Sequence, residues 1–251
     1  TEEDGLRSQN ITAVCKDYRS NTLFVGTADG LYTLRQKKFS QLNHLPELHH
    51  ANIAALSIDS SNRLWVAAQS GIFIMELEGN TYRVSKTIKS LNGQAIISPQ
   101  RILHDSRGNT WVATYGSGLL YLSATGNRLY NTTQQFISDK ILTVFEDSRS
   151  RIWVGTQDAG LLQFDGQKFT QTQINDKAVW AIVEGLPGDL YLGTGESGLC
   201  ILSGRQATYV NTQIGLSTDY LPSLVWDART ASLWLAGDRG LDKLTRNRQS
   251  K

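Results

Sequence analysis

One short pattern occurs six times in the 251 residues, and it limits the possible folds more than any other feature. The versions are Leu23-Phe-Val-Gly-Thr27, Leu64-Trp-Val-Ala-Ala68, Thr110-Trp-Val-Ala-Thr114, Ile152-Trp-Val-Gly-Thr156, Leu190-Tyr-Leu-Gly-Thr194 and Leu233-Trp-Leu-Ala-Gly237. Their aromatics, Phe24, Trp65, Trp111, Trp153, Tyr191 and Trp234, are spaced 41, 46, 42, 38 and 43 residues apart. A Gly followed by Leu or Ile comes 6 or 7 residues after each aromatic. Strand-forming repeats with a period of about 40 to 45 residues are the signature of propeller blades.

The fourth repeat serves as template. Ile141 to Asp147 is β-branched and aromatic, a strand signal. A polar turn, Ser148-Arg-Ser-Arg151, leads to the second strand, Ile152 to Thr156. Leu161-Leu-Gln-Phe164 is a third strand, Asp165-Gly166 a hairpin signal, and Lys168 to Gln171 a fourth strand. Four short antiparallel strands joined by tight turns make one blade. The reading is an all-β propeller of about six four-stranded blades in one domain. The blades fall at about 10–42, 52–90, 99–134, 140–173, 178–212 and 220–245. The sixth repeat carries three strand signals and no clear fourth. The chain therefore reads as a segment of a longer protein, with a seventh blade left open.

Two positions within the repeat carry roles. The first strand ends on Asp17, Asp59, Asp105, Asp147, Gly185 and Asp227. An acid beside a tight turn accepts backbone N–H bonds, so the five aspartates read as turn acids. The aromatics read as packing against the next blade. The cysteines, Cys15 and Cys200, lie in the first and fifth repeats and read as buried free thiols.

Asp147-Ser-Arg-Ser-Arg-Ile-Trp-Val-Gly-Thr156 with Gly160-Leu161 resembles the two-component regulator propeller repeat, and so does the lead-in Glu3-Asp-Gly-Leu6 with Asn10-Ile-Thr-Ala-Val14. The resemblance weakens in repeats two and six, where Ala replaces Gly, and in repeat five, which has Gly185 and Tyr191. It implies an extracytoplasmic, periplasmic sensor segment of a bacterial two-component, hybrid or diguanylate cyclase receptor. It also implies a small-molecule or oligosaccharide ligand and a dimeric full-length receptor.

Composition narrows the alternatives. A formal charge of +2 argues against a nucleic-acid surface. The densest basic run, Arg246 to Lys251, reads as a tail. No apolar run reaches membrane-spanning length, so a membrane contact is expected only through segments outside this chain. No nucleophile elbow is present, and the expectation is a non-catalytic segment without cofactor or metal. His44, His49, His50 and Glu47 match no closed zinc spacing. A propeller lactonase or lyase and a protein-interaction scaffold remain the rival readings.

Function tends to sit on loops and strand ends held by a rigid scaffold. Arg101, Trp180 and Tyr220 stand near the starts of first strands and depart from the small or apolar residues at matching positions, such as Ala13, Ala55 and Ala181 beside Arg101. Tyr115, Gln157 and Arg239 occupy the turns between second and third strands. These six are the candidate ligand-binding residues. Arginine and aromatics together suit a sugar or an anionic glycan. The variable connections, including Leu91-Asn-Gly-Gln-Ala95, Gln134 to Ser138 and Gly215 to Tyr220, belong to the same face.

Overall fold

A computed structural model of the chain describes residues 4–186 and 188–245. The basic run from Arg246 and the lead-in residue Glu3 lie outside the described residues. The fold is an all-β propeller. Its sheets are meanders: each strand pairs antiparallel with the next in sequence. Five blades have four strands; the sixth, Ser223–Asp227, Ser232–Gly237 and Gly240–Thr245, has three among the described residues, and a two-stranded sheet of Ser90–Leu91 and Gln94–Ala95 stands apart from the blades. The first strands of the other five blades are Ile11–Asp17, Ile53–Ile58, Pro99–His104, Ile141–Glu146 and Val179–Glu184.

The chain falls into two compact units, Thr1–Asp139 with three blades and Lys140–Lys251 with three. In the first unit, one apolar cluster joins Phe24 and Leu31 to Leu64, Phe73 and Met75. A second joins Trp65 and Ile72 to Val112 and Leu120. In the second unit, Trp153 and Leu161 pack with Val179, Leu190 and Cys200, while Tyr191 and Leu199 pack with Leu221, Leu224 and Leu233. Each cluster is a seam between successive blades, so the apolar faces are buried blade against blade. Cys200 is buried as expected. Cys15 is only half-buried; its strand, Ile11–Asp17, buries Asp17 alone and leaves Ile11 and Val14 exposed.

The structure explains each letter of the repeat. The Gly of Val-Gly-Thr is a close-approach position. A Cβ on Gly155 would lie 2.5 Å from the Val179 carbonyl oxygen, and one on Gly193 would lie 2.1 Å from that of Leu221. Both carbonyls belong to the next blade or its lead-in. The Thr closes the following turn. Thr156 Oγ1 donates to the Gly160 carbonyl at 2.9 Å and accepts the Ala159 N–H at 2.8 Å. Thr27, Thr114 and Thr194 make the same pair of bonds.

The turn aspartates reach further than the turn. Asp147 Oδ1 accepts the Arg149 and Arg151 N–H groups, both at 3.0 Å. Its Oδ2 accepts Arg151 Nε at 2.6 Å and Trp153 Nε1 at 2.8 Å. Asp59 binds Trp65, and Asp105 binds Trp111, in the same way. The tryptophan is therefore both a packing residue and the donor that clamps the carboxylate. Burial alone would raise the pKa of Asp147; the bonds from Trp153 and Arg151 hold it below the ordinary carboxylate value.

The exceptions follow the same logic. Repeat five has neither the indole nor the acid: a Cβ on Gly185 would lie 2.2 Å from the Tyr191 ring. Glu184, one residue earlier, accepts the Gly188 N–H instead, and bonds the Ser148 N–H and hydroxyl of the preceding blade. Repeat one has Phe24 and keeps Asp17. There the Tyr82 hydroxyl of the second blade and Ser20 serve as donors, each at 2.6 Å. Burial opposes ionisation of Asp17, but the Ser20, Tyr82 and Arg19 bonds bring its pKa down to about 2. Asp227 of the sixth blade binds the Arg229 N–H and the Thr230 hydroxyl.

Candidate ligand site at the starts of the first strands

The site begins with a backbone irregularity. In five blades the first strand is bulged at one place, between Ile11 and Ala13, Ile53 and Ala55, Pro99 and Arg101, Ile141 and Thr143, and Val179 and Ala181. A bulge inserts one residue and re-aims its side chain. The inserted residues are Thr12, Ala54, Gln100, Leu142 and Trp180.

In the first unit, three of these inserts line one cavity of about 400 Å³: Thr12, Ala54 and Gln100, with Asn52, Gln69, Ser98, Pro99 and Arg101. Most of the lining is polar and uncharged. Thr12 donates to the Ile53 carbonyl across the blade seam. The Gln69 N–H bonds the Asn52 carbonyl at 3.2 Å. Ser98 has φ of 48°, the left-handed region, and its carbonyl accepts the Tyr115 N–H at 2.9 Å. Its hydroxyl receives Gln100 Nε2 at 2.8 Å. Backbone held in a sparsely populated region is often found at ligand sites. Arg101 is solvent-exposed, yet protein surrounds it closely enough that desolvation lowers its pKa from the ordinary value. No acid of the described residues pairs with it through a hydrogen bond or ion pair.

In the second unit, the inserted Trp180 meets Tyr220 edge to face, with ring centroids 5.4 Å apart. Both are half-buried. Burial, with Asp238 nearby, raises the pKa of the Tyr220 phenol. Gly195 lies under the indole: a Cβ there would be 3.5 Å from Trp180 Nε1.

Of the six candidates, the structure thus joins Trp180 to Tyr220 directly. It ties Tyr115 to the Arg101 cavity through Ser98. Gln157 sits in its turn, with its N–H on the Lys140 carbonyl at 3.0 Å, and Arg239 is exposed. Neither has a hydrogen bond or ring contact to Trp180 or Tyr220 among the described residues. Thr12, Asn52 and Gln100 are lining residues that sequence reasoning missed. A bulge shifts strand register by one, and nothing in the local composition announces that.

The connections are more ordered than variable loops suggest. Leu91 to Ala95 is a small hairpin, with Asn92 and Gly93 both at positive φ. Asn-Gly is the dipeptide that favours this turn. Thr132–Gln134 and Thr212–Ile214 are matching 3-10 turns. Each is pinned by an acid seven residues after its first threonine: Asp139 takes the Thr132 N–H and hydroxyl, and Asp219 those of Thr212. His50 bonds Asp29 at 2.5 Å, and His44 bonds the Tyr82 carbonyl at 2.8 Å. Among the described residues no three His, Cys, Asp or Glu side chains gather as metal ligands would. No helix among them is long and apolar enough to cross a membrane.

Residues 135–158 match the family model described as two component regulator propeller. The fold is thus a β-propeller, one stretch of which matches that model. The chain is similar in fold to the extracellular domain assigned to a hybrid two component system of B. thetaiotaomicron, at TM-score 0.83 and 18% identity over 96% of this chain and 34% of that one. It is also similar to the extracellular domain assigned to a one component system of the same organism, at TM-score 0.73 and 15% identity over 94% of this chain and 33% of that one. A propeller enzyme, virginiamycin B lyase from Staphylococcus aureus, matches at TM-score 0.68 and 11% identity, covering 96% of this chain and 85% of that one. The chain spans about a third of the length of the first two. No curated protein matches its sequence.

Proposed function

We propose that this chain is part of the extracytoplasmic, periplasmic ligand-sensing propeller of a bacterial signal-transduction receptor, and that its ligand is an oligosaccharide. The observation that carries the reading is the cavity at the bulged strand starts, where Thr12, Asn52, Gln69, Gln100 and Arg101 present hydroxyl, amide and guanidinium groups from strands and the turns beside them. Such groups suit a polyhydroxylated ligand. The second unit, taken by itself, offers in Trp180 and Tyr220 an aromatic surface of the kind on which sugar faces stack. The match to the two component regulator propeller model supports a sensor over an enzyme; the likenesses to the two extracellular domains and to the lyase alike rest on fold, which does not fix function.

In this account the blades change little, because their faces are buried against one another. The ligand acts by favouring one of two arrangements of a dimeric receptor, which requires unequal affinity for the two. The test is calorimetric titration with neutral and acidic oligosaccharides. Arg101→Ala and Trp180→Ala are each expected to weaken binding at least tenfold. Binding unchanged in both variants removes the site.

A further inference from the structure

We propose that the ligand group entering the cavity of the first unit is a carboxylate, and that Arg101 is the residue that holds it. The inference deepens the sensor reading and rests on it.

Register makes the case first. The residue after the bulge faces a small partner in every blade: Ala13 opposite Gly26, Ala55 opposite Ala67, Thr143 opposite Gly155 and Ala181 opposite Gly193. Ser223 stands opposite Ala236 in the unbulged sixth blade. Arg101, opposite Ala113, is the one charged side chain at this position. The scaffold does not need an arginine there, since five blades are built without one.

The surroundings make it second. Some arginines of the described residues hold a side-chain partner: Arg63 pairs with Asp59, Arg83 with Glu78, Arg151 with Asp147, and Arg35 with the Thr22 hydroxyl. Arg101 has no such partner, and the cavity beside it is walled by amides, hydroxyls, Pro99 and Ala54, with no acid. A guanidinium presents a planar fork of donors that a carboxylate meets with two parallel bonds. Desolvation of Arg101 in the free protein is a cost that such a ligand would offset. The amides of Asn52, Gln69 and Gln100 then meet the hydroxyls around the charged group. A uronate-bearing oligosaccharide has this chemistry.

The experiment uses the intact chain and matched probes. Di- and trisaccharides bearing uronate residues are titrated beside their carboxyl-reduced, neutral counterparts, with the wild type, Arg101→Gln and Arg101→Lys. A circular dichroism spectrum checks the fold of each variant. The expected result is tighter binding of an acidic probe than of its neutral counterpart. Arg101→Gln should weaken the acidic probe about 10- to 100-fold, as loss of a charge-assisted pair does, and the neutral one by a clearly smaller factor. Arg101→Lys should recover part of the loss, because charge remains and the fork does not. Equal binding of acidic and neutral probes, indifferent to Arg101, overturns the carboxylate and leaves the sugar-sensor reading standing. Binding of neither class overturns both.

Discussion

Replacing Asp147 by Asn changes one oxygen to an amide nitrogen and tests the aspartate–tryptophan clamp directly. The Asp147 side chain is fully buried and accepts four hydrogen bonds, two on each oxygen. An asparagine can keep the two backbone bonds on its carbonyl oxygen. Its NH2 then faces Trp153 Nε1–H and Arg151 Nε–H, donor against donor. The indole N–H is buried and has nowhere to turn, which costs about 1–3 kcal/mol. The Arg151 side chain is 31% exposed and can turn to water, recovering part of a charge-assisted bond of about 1.5–3 kcal/mol. The sum is about 3 kcal/mol. Trp153→Phe removes one donor from an acid that keeps three, at about 1 kcal/mol, and part of a buried ring, at about 1 kcal/mol or more besides. The double variant should cost less than the sum of the two, since the new NH2 no longer meets an indole N–H. Asp227→Asn is the control: that carboxyl is 23% exposed and bonds one N–H and one hydroxyl, so its loss should cost about 1 kcal/mol or less. Urea unfolding followed by tryptophan fluorescence and circular dichroism reads all four. The clamp is refuted if Asp147→Asn falls within about 0.5 kcal/mol of wild type, or costs no more than Asp227→Asn.

Further consequences are measurable. Gly193→Ala places a Cβ 2.1 Å from the Leu221 carbonyl oxygen and should cost about 1–3 kcal/mol in urea unfolding, as overpacking does. Thr156→Val keeps the shape and loses two buried hydrogen bonds, so about 1–3 kcal/mol should vanish with the turn's amide protection in hydrogen exchange. The folded pKa of Asp17 lies at about 2, below its unfolded value of about 3.8, so the unfolded chain binds the proton first as pH falls. This contribution to stability is complete above about pH 5 and is lost as pH falls through about 2. Tyr82→Phe removes one of the bonds that lower Asp17 and should shrink the loss between pH 5 and 2; melting curves across that range check it.

The repeat was readable because each of its residues does a job that only a few residue types can do. The Gly or Ala admits the next blade, the Thr closes the turn, and the Trp both packs and donates. A position fixed by local sterics recurs in sequence, and six recurrences made the propeller visible. The site was less readable because it depends on departures from the repeat and on register. Arg101 stood out against alanines, and Trp180 against its neighbours. Thr12 and Gln100 are ordinary residue types, and a one-residue bulge turns them into lining groups. Glu184 as the substitute for the missing acid of repeat five was hidden for a similar reason: it is displaced by one residue, and its main partner, Ser148, is 36 positions away. The Asn-Thr turn shared by the connections after the third and fifth blades was visible in the letters, Asn131-Thr132 with Asp139 and Asn211-Thr212 with Asp219, but not in the blade period.

Thermal melting of the chain against a panel of neutral and uronate-bearing oligosaccharides tests the central claim, that this propeller binds a saccharide at its bulged strand starts. A ligand at a hundred times its dissociation constant stabilises the folded state by about 2.7 kcal/mol. For a chain of this size that is a rise of roughly 5 to 10 °C. The account predicts such a rise with at least one glycan, reduced in Arg101→Ala or Trp180→Ala. A melting temperature that no saccharide moves, or a rise that both variants show in full, contradicts it.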